Sequence, residues 1–251
     1  MATEYAFSFD NQKPQPNHLL AALQADSMAR LRPHLKFVYL PLGEVLYEPG
    51  LKMHHLYFPT DSIISLLYVT HDGASTEISV VGNEGVLGVP LFTGGESTPI
   101  GAMVRSAGGA YALPREILKE EFARNGRLME LLLHYTQTLI TQVAQTAVCI
   151  RHHHIDQQLC RWLLMSFDRL PGNSLLMTHE LIANMLGVRR EGVTEAAGKL
   201  QKLGVISYRR GTIEVLDREK LESLCCECYA VVKKETDRLL NWGIPEKAPY
   251  S

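Results

Sequence analysis

Arg190 and Glu191 stand side by side, and Thr194, Glu195 and Lys199 follow at helical spacing on the same outward face. An arginine can bond bidentately to guanine, and a glutamate can accept from the cytosine amino group. That set is suited to reading base edges at a G·C step. Further along, Arg209-Arg210-Gly211 puts two guanidinium groups at a turn between two short apolar runs. Arginines at a hairpin tip suit phosphates and suit a core poorly. Thr178, Arg189, Lys199, Arg209 and Arg210 are the expected phosphate-contacting set.

Two other groups could bind metal. His152-His153-His154 offers three imidazoles, but consecutive helical residues point in different directions, so the run reads as a polar hinge. Cys225, Cys226 and Cys228 offer thiolates, which select zinc or iron–sulfur clusters. A complete site usually needs four ligands, and adjacent cysteines fit one ion badly, so these read first as small apolar residues on a C-terminal helix. No metal and no cofactor is therefore expected. His71-Asp72 is a lone pair in a glycine-bounded turn. The chain has no His-Glu-x-x-His, no Gly-x-Ser-x-Gly and no Walker loop, and an enzyme is not expected.

The base-reading set needs a rigid mount, and residues 178–216 supply one. Thr178 is an expected N-cap. Leu181, Ile182, Met185 and Leu186 form one apolar face, and Gly187 supplies the left-handed residue that ends a helix in a tight turn. A second helix is expected from about Arg190, with Val193, Ala196 or Ala197, Leu200 and Leu203 inward. Gly204 ends it. Val205 to Tyr208 and Thr212 to Leu216 then read as two strands around the arginine turn. Helix, glycine turn, helix and hairpin in this order predict a winged helix-turn-helix whose second helix enters the major groove of double-stranded DNA.

The preceding chain reads as a carrier. Residues 36–114 show short apolar runs separated by Pro41, Pro49-Gly50, Asp72-Gly73, Gly82-Asn83 and Gly94-Gly95, the pattern of a β-sandwich or roll. Pro114 opens a short helix to Phe122. Arg127 to about His152 has neither Pro nor Gly and carries two seams. One is Leu132, Tyr135, Leu139, Gln142, Thr146 and Cys149. The other is Leu133, Thr136, Ile140, Val143, Ala147 and Ile150. Two seams need two partners, here the β-roll and the same helix of a second copy. A further helix spans roughly Ile155 to Leu170. The predicted class is α+β: an N-terminal β-roll (cupin-like jelly roll), a long dimerisation helix and a C-terminal winged helix-turn-helix. The expected segments are 1–17 as a flexible N-terminus, 18–126 as the roll, 127–152 as the dimerisation helix, 153–220 as the DNA-binding domain and 221–251 as a C-terminal helix and tail.

Composition agrees with this reading. Of 251 residues, 46% are hydrophobic and 21% charged, enough for a packed core. No apolar run is long enough to span a membrane, and the polar start lacks a signal peptide's pattern, so a cytoplasmic address with no membrane partner is expected. The net charge is only −2. Residues 151–220, however, carry 11 Lys and Arg against 8 Asp and Glu, while residues 1–150 carry 10 against 14. The basic stretch coincides with the predicted DNA-binding region.

With these features the sequence resembles the Crp/Fnr family of dimeric transcription regulators. Gly43-Glu44-Val45-Leu46-Tyr47-Glu48-Pro49-Gly50 is similar to the family's early β-roll signature, and Gly85 to Phe92 to its phosphate cassette. Val188 to Val193 resembles the start of its recognition helix. The resemblance implies a cyclic-nucleotide-binding-like roll, a homodimer, a palindromic operator and RNA polymerase as a further partner. It also implies an effector pocket around Gly85, Gly88, Val89, Thr98 and Arg105. Two departures stand out. In members that bind cyclic AMP, a Glu follows the cassette Gly and an Arg follows about ten residues later; here Val89 and Thr98-Pro99-Ile100 occupy those places. Arg105-Ser106-Ala107 mimics the phosphate motif but comes later in the chain. In the recognition helix, Glu195 stands where the family often carries an Arg. Cyclic AMP is therefore not the expected effector. Two other readings stay open: a cyclic-nucleotide receptor with its phosphate site displaced to Arg105, and a redox or metal sensor built on Cys225, Cys226 and Cys228.

Overall fold

The computed structural model describes residues 17–240. The ends of the expected flexible N-terminus and C-terminal tail, residues 1–16 and 241–251, lie outside them. Two short helices, α1 (His18–Ala21) and α2 (Ala25–Leu31), lead into seven strands: β1 (Lys36–Leu40), β2 (Val45–Tyr47), β3 (His55–Pro59), β4 (Ile63–Val69), β5 (Ser75–Val81), β6 (Gly101–Ser106) and β7 (Gly108–Pro114). A single turn, α3 (Pro90–Thr93), interrupts them. The strands form two antiparallel sheets, ordered β1-β7-β3 and β2-β6-β4-β5. Alternating residues close the space between them: Leu56, Phe58, Ile64, Val104 and Leu113 are all fully buried. The Asp72-Gly73 hairpin joins β4 to β5 as the turn chemistry requires.

After α4 (Arg115–Phe122) comes α5 (Arg127–His152), a helix of 26 residues. Its first seam faces inward. Leu132, Tyr135, Gln142 and Cys149 are buried. The polar Gln142 is there for a reason. Its Oε1 accepts from Val80 N (2.6 Å) and its Nε2 donates to Val80 O (3.3 Å), satisfying the free edge of β5. At the other end, Gly85 lets the Tyr135 ring approach the backbone. An added Cβ there would lie 2.3 Å from the ring, so no side chain fits. The second seam faces out. Leu133, Ile140, Val143 and Ile150 are 39–58% exposed, unusual for side chains of this size.

The C-terminal half contains α6 (Ile155–Phe167), β8 (Ser174–Leu176), α7 (His179–Leu186), α8 (Arg190–Lys202), β9 (Ile206–Arg209), β10 (Thr212–Val215), α9 (Arg218–Leu224) and α10 (Glu227–Leu239). The inward residues of α6, α7 and α8 form one core with Ile63, Leu67 and Val80 of the roll. The two halves are thus packed together rather than strung on a linker. Helix α10 runs back along α5 from Cys228 to Leu240, which is buried among residues of the roll. This third partner for α5 has no counterpart in the two-partner expectation. Among the described residues, no helix is long and apolar enough to cross a membrane.

Candidate nucleic-acid interface

The turn between α7 and α8 folds as its residues dictate. Thr178 caps α7, its hydroxyl accepting from Leu181 N at 3.2 Å. Gly187 ends α7 in the left-handed region at φ 66°, and Val188 N donates to Ala183 O at 3.0 Å. The chain then enters α8 at Arg190. Val193, Ala196, Ala197 and Leu200 are buried, which turns Arg190, Glu191, Thr194, Glu195 and Lys199 to solvent. Arg189 is exposed beside them.

These side chains differ in how free they are. Among the described residues, the only ion-pair partner of Arg190 is a distant one, Glu180, at 4.0 Å and exposed on both sides. Thr194 is engaged: its hydroxyl donates to Arg190 O and lies 3.0 Å from Nδ1 of His179. His179 itself stacks on Tyr208, with ring centroids 4.2 Å apart and planes 14° apart. Burial, aided by the Arg190 charge, holds this imidazole below the usual histidine range, and its contacts with Thr194 and Tyr208 tie α7 to α8 and to the wing. Lys199 is shared between Asp156 and Glu195, both at 3.1 Å, so its charge is already balanced. His179 and Tyr208 are not among the site residues expected from the sequence; the available signal is an aromatic residue on a wing strand facing the first turn of α7.

The wing is a three-stranded sheet, ordered β8-β10-β9. β9 and β10 follow the expected hairpin, and Arg210 and Gly211 turn it with φ of 50° and 81°. Arg209 and Arg210 are exposed at its tip. β8 is not among the expected strands. Three residues give too short an alternation to register, although Leu175 and Met177 point inward and Leu176 outward.

The effector-pocket residues divide. Gly88, Val89 and Thr98 line one cavity of about 180 Å³ with Tyr47, Met53, Leu66, Ile100 and Leu139. No charged side chain lines it. Leu139 belongs to α5, so the cavity touches the long helix directly. Gly85 is not part of it and packs on Tyr135.

Arg105, expected at the effector pocket, lies elsewhere. It does not face this cavity and is not available to a phosphate. The side chain is fully buried, 2.8 Å from Glu77, and donates to Ser166 Oγ at 2.9 Å. Its guanidinium lies 4.6 Å from the Trp162 ring centroid. A buried arginine needs a carboxylate, and strand β5 supplies one; two of its other partners come from α6. Arg105 therefore joins the roll to the C-terminal half.

Of the thiols, Cys226 and Cys228 are buried and Cys225 half-buried. They lie at the start of α10, on a different element from the arginine face.

The sequence profile of the Crp-like helix-turn-helix domain matches residues 157–224. No curated protein sequence matches the chain. Solved structures do match in shape. A Crp/Fnr family transcriptional regulator from Eubacterium rectale superposes with a TM-score of 0.64 at 19% identity, over 82% of this chain and 96% of that one. FixK2 from Bradyrhizobium japonicum gives 0.64 at 15% identity, over 76% and 98%. A Crp/Fnr family transcriptional regulator from Thermus thermophilus gives 0.59 at 20% identity, over 75% and 97%. Residues 157–224 are thus a Crp-like helix-turn-helix domain, carried on the β-roll and long-helix fold of the Crp/Fnr transcription regulators.

Proposed function

We propose that the chain is a homodimeric, sequence-specific DNA-binding regulator whose roll answers to an effector other than cyclic AMP. The observation that carries the DNA reading is the exposed pair Arg190 and Glu191 at the first turn of α8, flanked by Arg189 and by the wing arginines Arg209 and Arg210. Base reading falls to Arg190 and Glu191, with Glu195 and the methyl side of Thr194 beside them. Thr178, Arg189, Arg209 and Arg210 take phosphates, and Lys199 joins them by exchanging its carboxylate partners. A dimer on a palindromic operator then reads two half-sites about one helical turn apart.

Selection from a random duplex pool is expected to return an inverted repeat with that spacing. Arg190→Ala should cost about 1–3 kcal/mol on the selected site and relax base choice at one position per half-site. Binding that is indifferent to sequence, or a site preference untouched by Arg190→Ala, would defeat the reading.

The effector reading rests on the cavity beside Gly88 and Val89. A cyclic phosphate buried there would meet no cation and would lose its hydration without compensation. Arg105 cannot serve, since Glu77 already neutralises it. A small, largely apolar molecule fits the lining better, and Leu139 gives it a direct contact with α5. Titration calorimetry with cyclic AMP and cyclic GMP is expected to give only heats of dilution; a saturable heat with either nucleotide would return the roll to the nucleotide receptors.

A further inference from the structure

The cysteines of α10 are incomplete as a metal site only along the sequence. In space, Cys226 and Cys228 meet Cys149 and His153 from the end of α5. The four candidate ligand atoms all lie within 4.8 Å of one another. We infer that Cys149, His153, Cys226 and Cys228 form a tetrahedral structural zinc site at the joint between the long helix and the DNA-binding domain.

The geometry suits one ion. A tetrahedral zinc with sulfur at about 2.3 Å and imidazole nitrogen at about 2.0 Å sets sulfur–sulfur edges of about 3.8 Å and sulfur–nitrogen edges of about 3.5 Å. Cys149 Sγ and Cys226 Sγ are 3.6 Å apart, and Cys228 Sγ lies 3.6 Å from Nδ1 of His153. An iron–sulfur cluster divides its four ligands among two or more irons, and ligands on different irons stand farther apart than this set of four allows. Three thiolates and an imidazole in tetrahedral array select zinc among the common ions. Loading releases the three thiol protons to solvent, with no change of oxidation state.

A supporting carboxylate is also present. Nε2 of His153, the nitrogen turned away from Cys228, is 3.3 Å from Glu227 Oε2. A carboxylate on the far nitrogen fixes the tautomer and the ring plane of a metal-bound histidine. His153 is held from the backbone as well: its N–H donates to Cys149 O, and its C=O accepts from Gln158 Nε2 at 2.9 Å. Cys226 is the N-cap of α10, so its position is fixed by the start of that helix. Cys225 stands outside the set of four.

The placement gives the site a purpose. Residues 149–153 are where the chain leaves the long helix for the DNA-binding domain, and residues 226–228 are where it returns. One ion would therefore pin the entry and the exit of that domain at a single point.

Metal analysis of the full-length protein, purified without chelator from zinc-supplemented cells, is expected to find about one zinc per chain. Apo-protein should take up cobalt with the absorption of a tetrahedral thiolate site. Cys226→Ser and His153→Ala should lose the metal, whereas Cys225→Ser and His152→Ala should keep it, with circular dichroism confirming that each variant is folded. If the first two do not fold, the zinc content and the cobalt spectrum of the natural protein still decide. Metal-free natural protein that takes up no cobalt overturns the proposal. So does a Cys149–Cys226 disulfide in place of the ion, or loss of metal in folded Cys225→Ser.

Discussion

Arg105→Ala is expected to destabilise the chain by about 3–5 kcal/mol, because it leaves a buried carboxylate without its cation. The side chains of Arg105 and Glu77 are 1% and 8% exposed, and both carboxylate oxygens accept from the same guanidinium nitrogen at 2.9 and 2.8 Å. After truncation Glu77 retains the hydroxyl of Ser65, which is too little to replace a charge. The loss also removes a bond to Ser166 and the face of Trp162, so the roll loosens from α6. Urea unfolding should show the midpoint falling. The double variant Arg105→Met with Glu77→Leu should recover most of the loss, since removing both charges removes the unpaired one. A single-variant cost below about 1 kcal/mol would mean that the pair is hydrated or dispensable, contrary to its burial.

If the outward seam of α5 is the contact of the proposed dimer, Ile140→Glu is expected to give a monomer and to weaken operator binding by about 10²–10⁴-fold, the loss that follows when two linked half-site contacts become one. Ile140 is 58% exposed at the middle of the outward seam of α5. Within a single chain the substitution touches little and should hardly change stability. Across the two-fold axis of the proposed dimer the same residue would meet its own copy, and two carboxylates would be buried against each other. Sedimentation should give the monomer mass, and binding to a single half-site should persist. A dimer that survives both Ile140→Glu and Val143→Glu would place the subunit contact elsewhere.

The arginine face was legible because its determinants are local. Thr178 caps within three residues, Gly187 turns within one, and the period of Val193, Ala197 and Leu200 fixes which side of α8 is wet. The inward and outward seams of α5 were equally legible, since each is a repeat along one helix. Arg105 shows the opposite case. As a motif it looks like a phosphate ligand, but its role depends on Glu77, 28 residues away in sequence, and on Ser166, 61 away. Of the residues expected around an effector, Gly88, Val89 and Thr98 share a cavity, while Gly85 serves the approach of Tyr135, a contact with no local signature.

By itself, then, the sequence determined the order of elements, the caps and turns of the helix-turn-helix, the arginines of the wing and the exposed seam. These follow from interactions within a few residues of the chain. The tertiary structure alone decided which charges are already paired, what lines the cavity and which thiols meet. Cys149 and Cys226 are 77 residues apart, and nothing local brings them together. They meet because α10 packs back along α5, and that packing is set by burial shared across the whole fold.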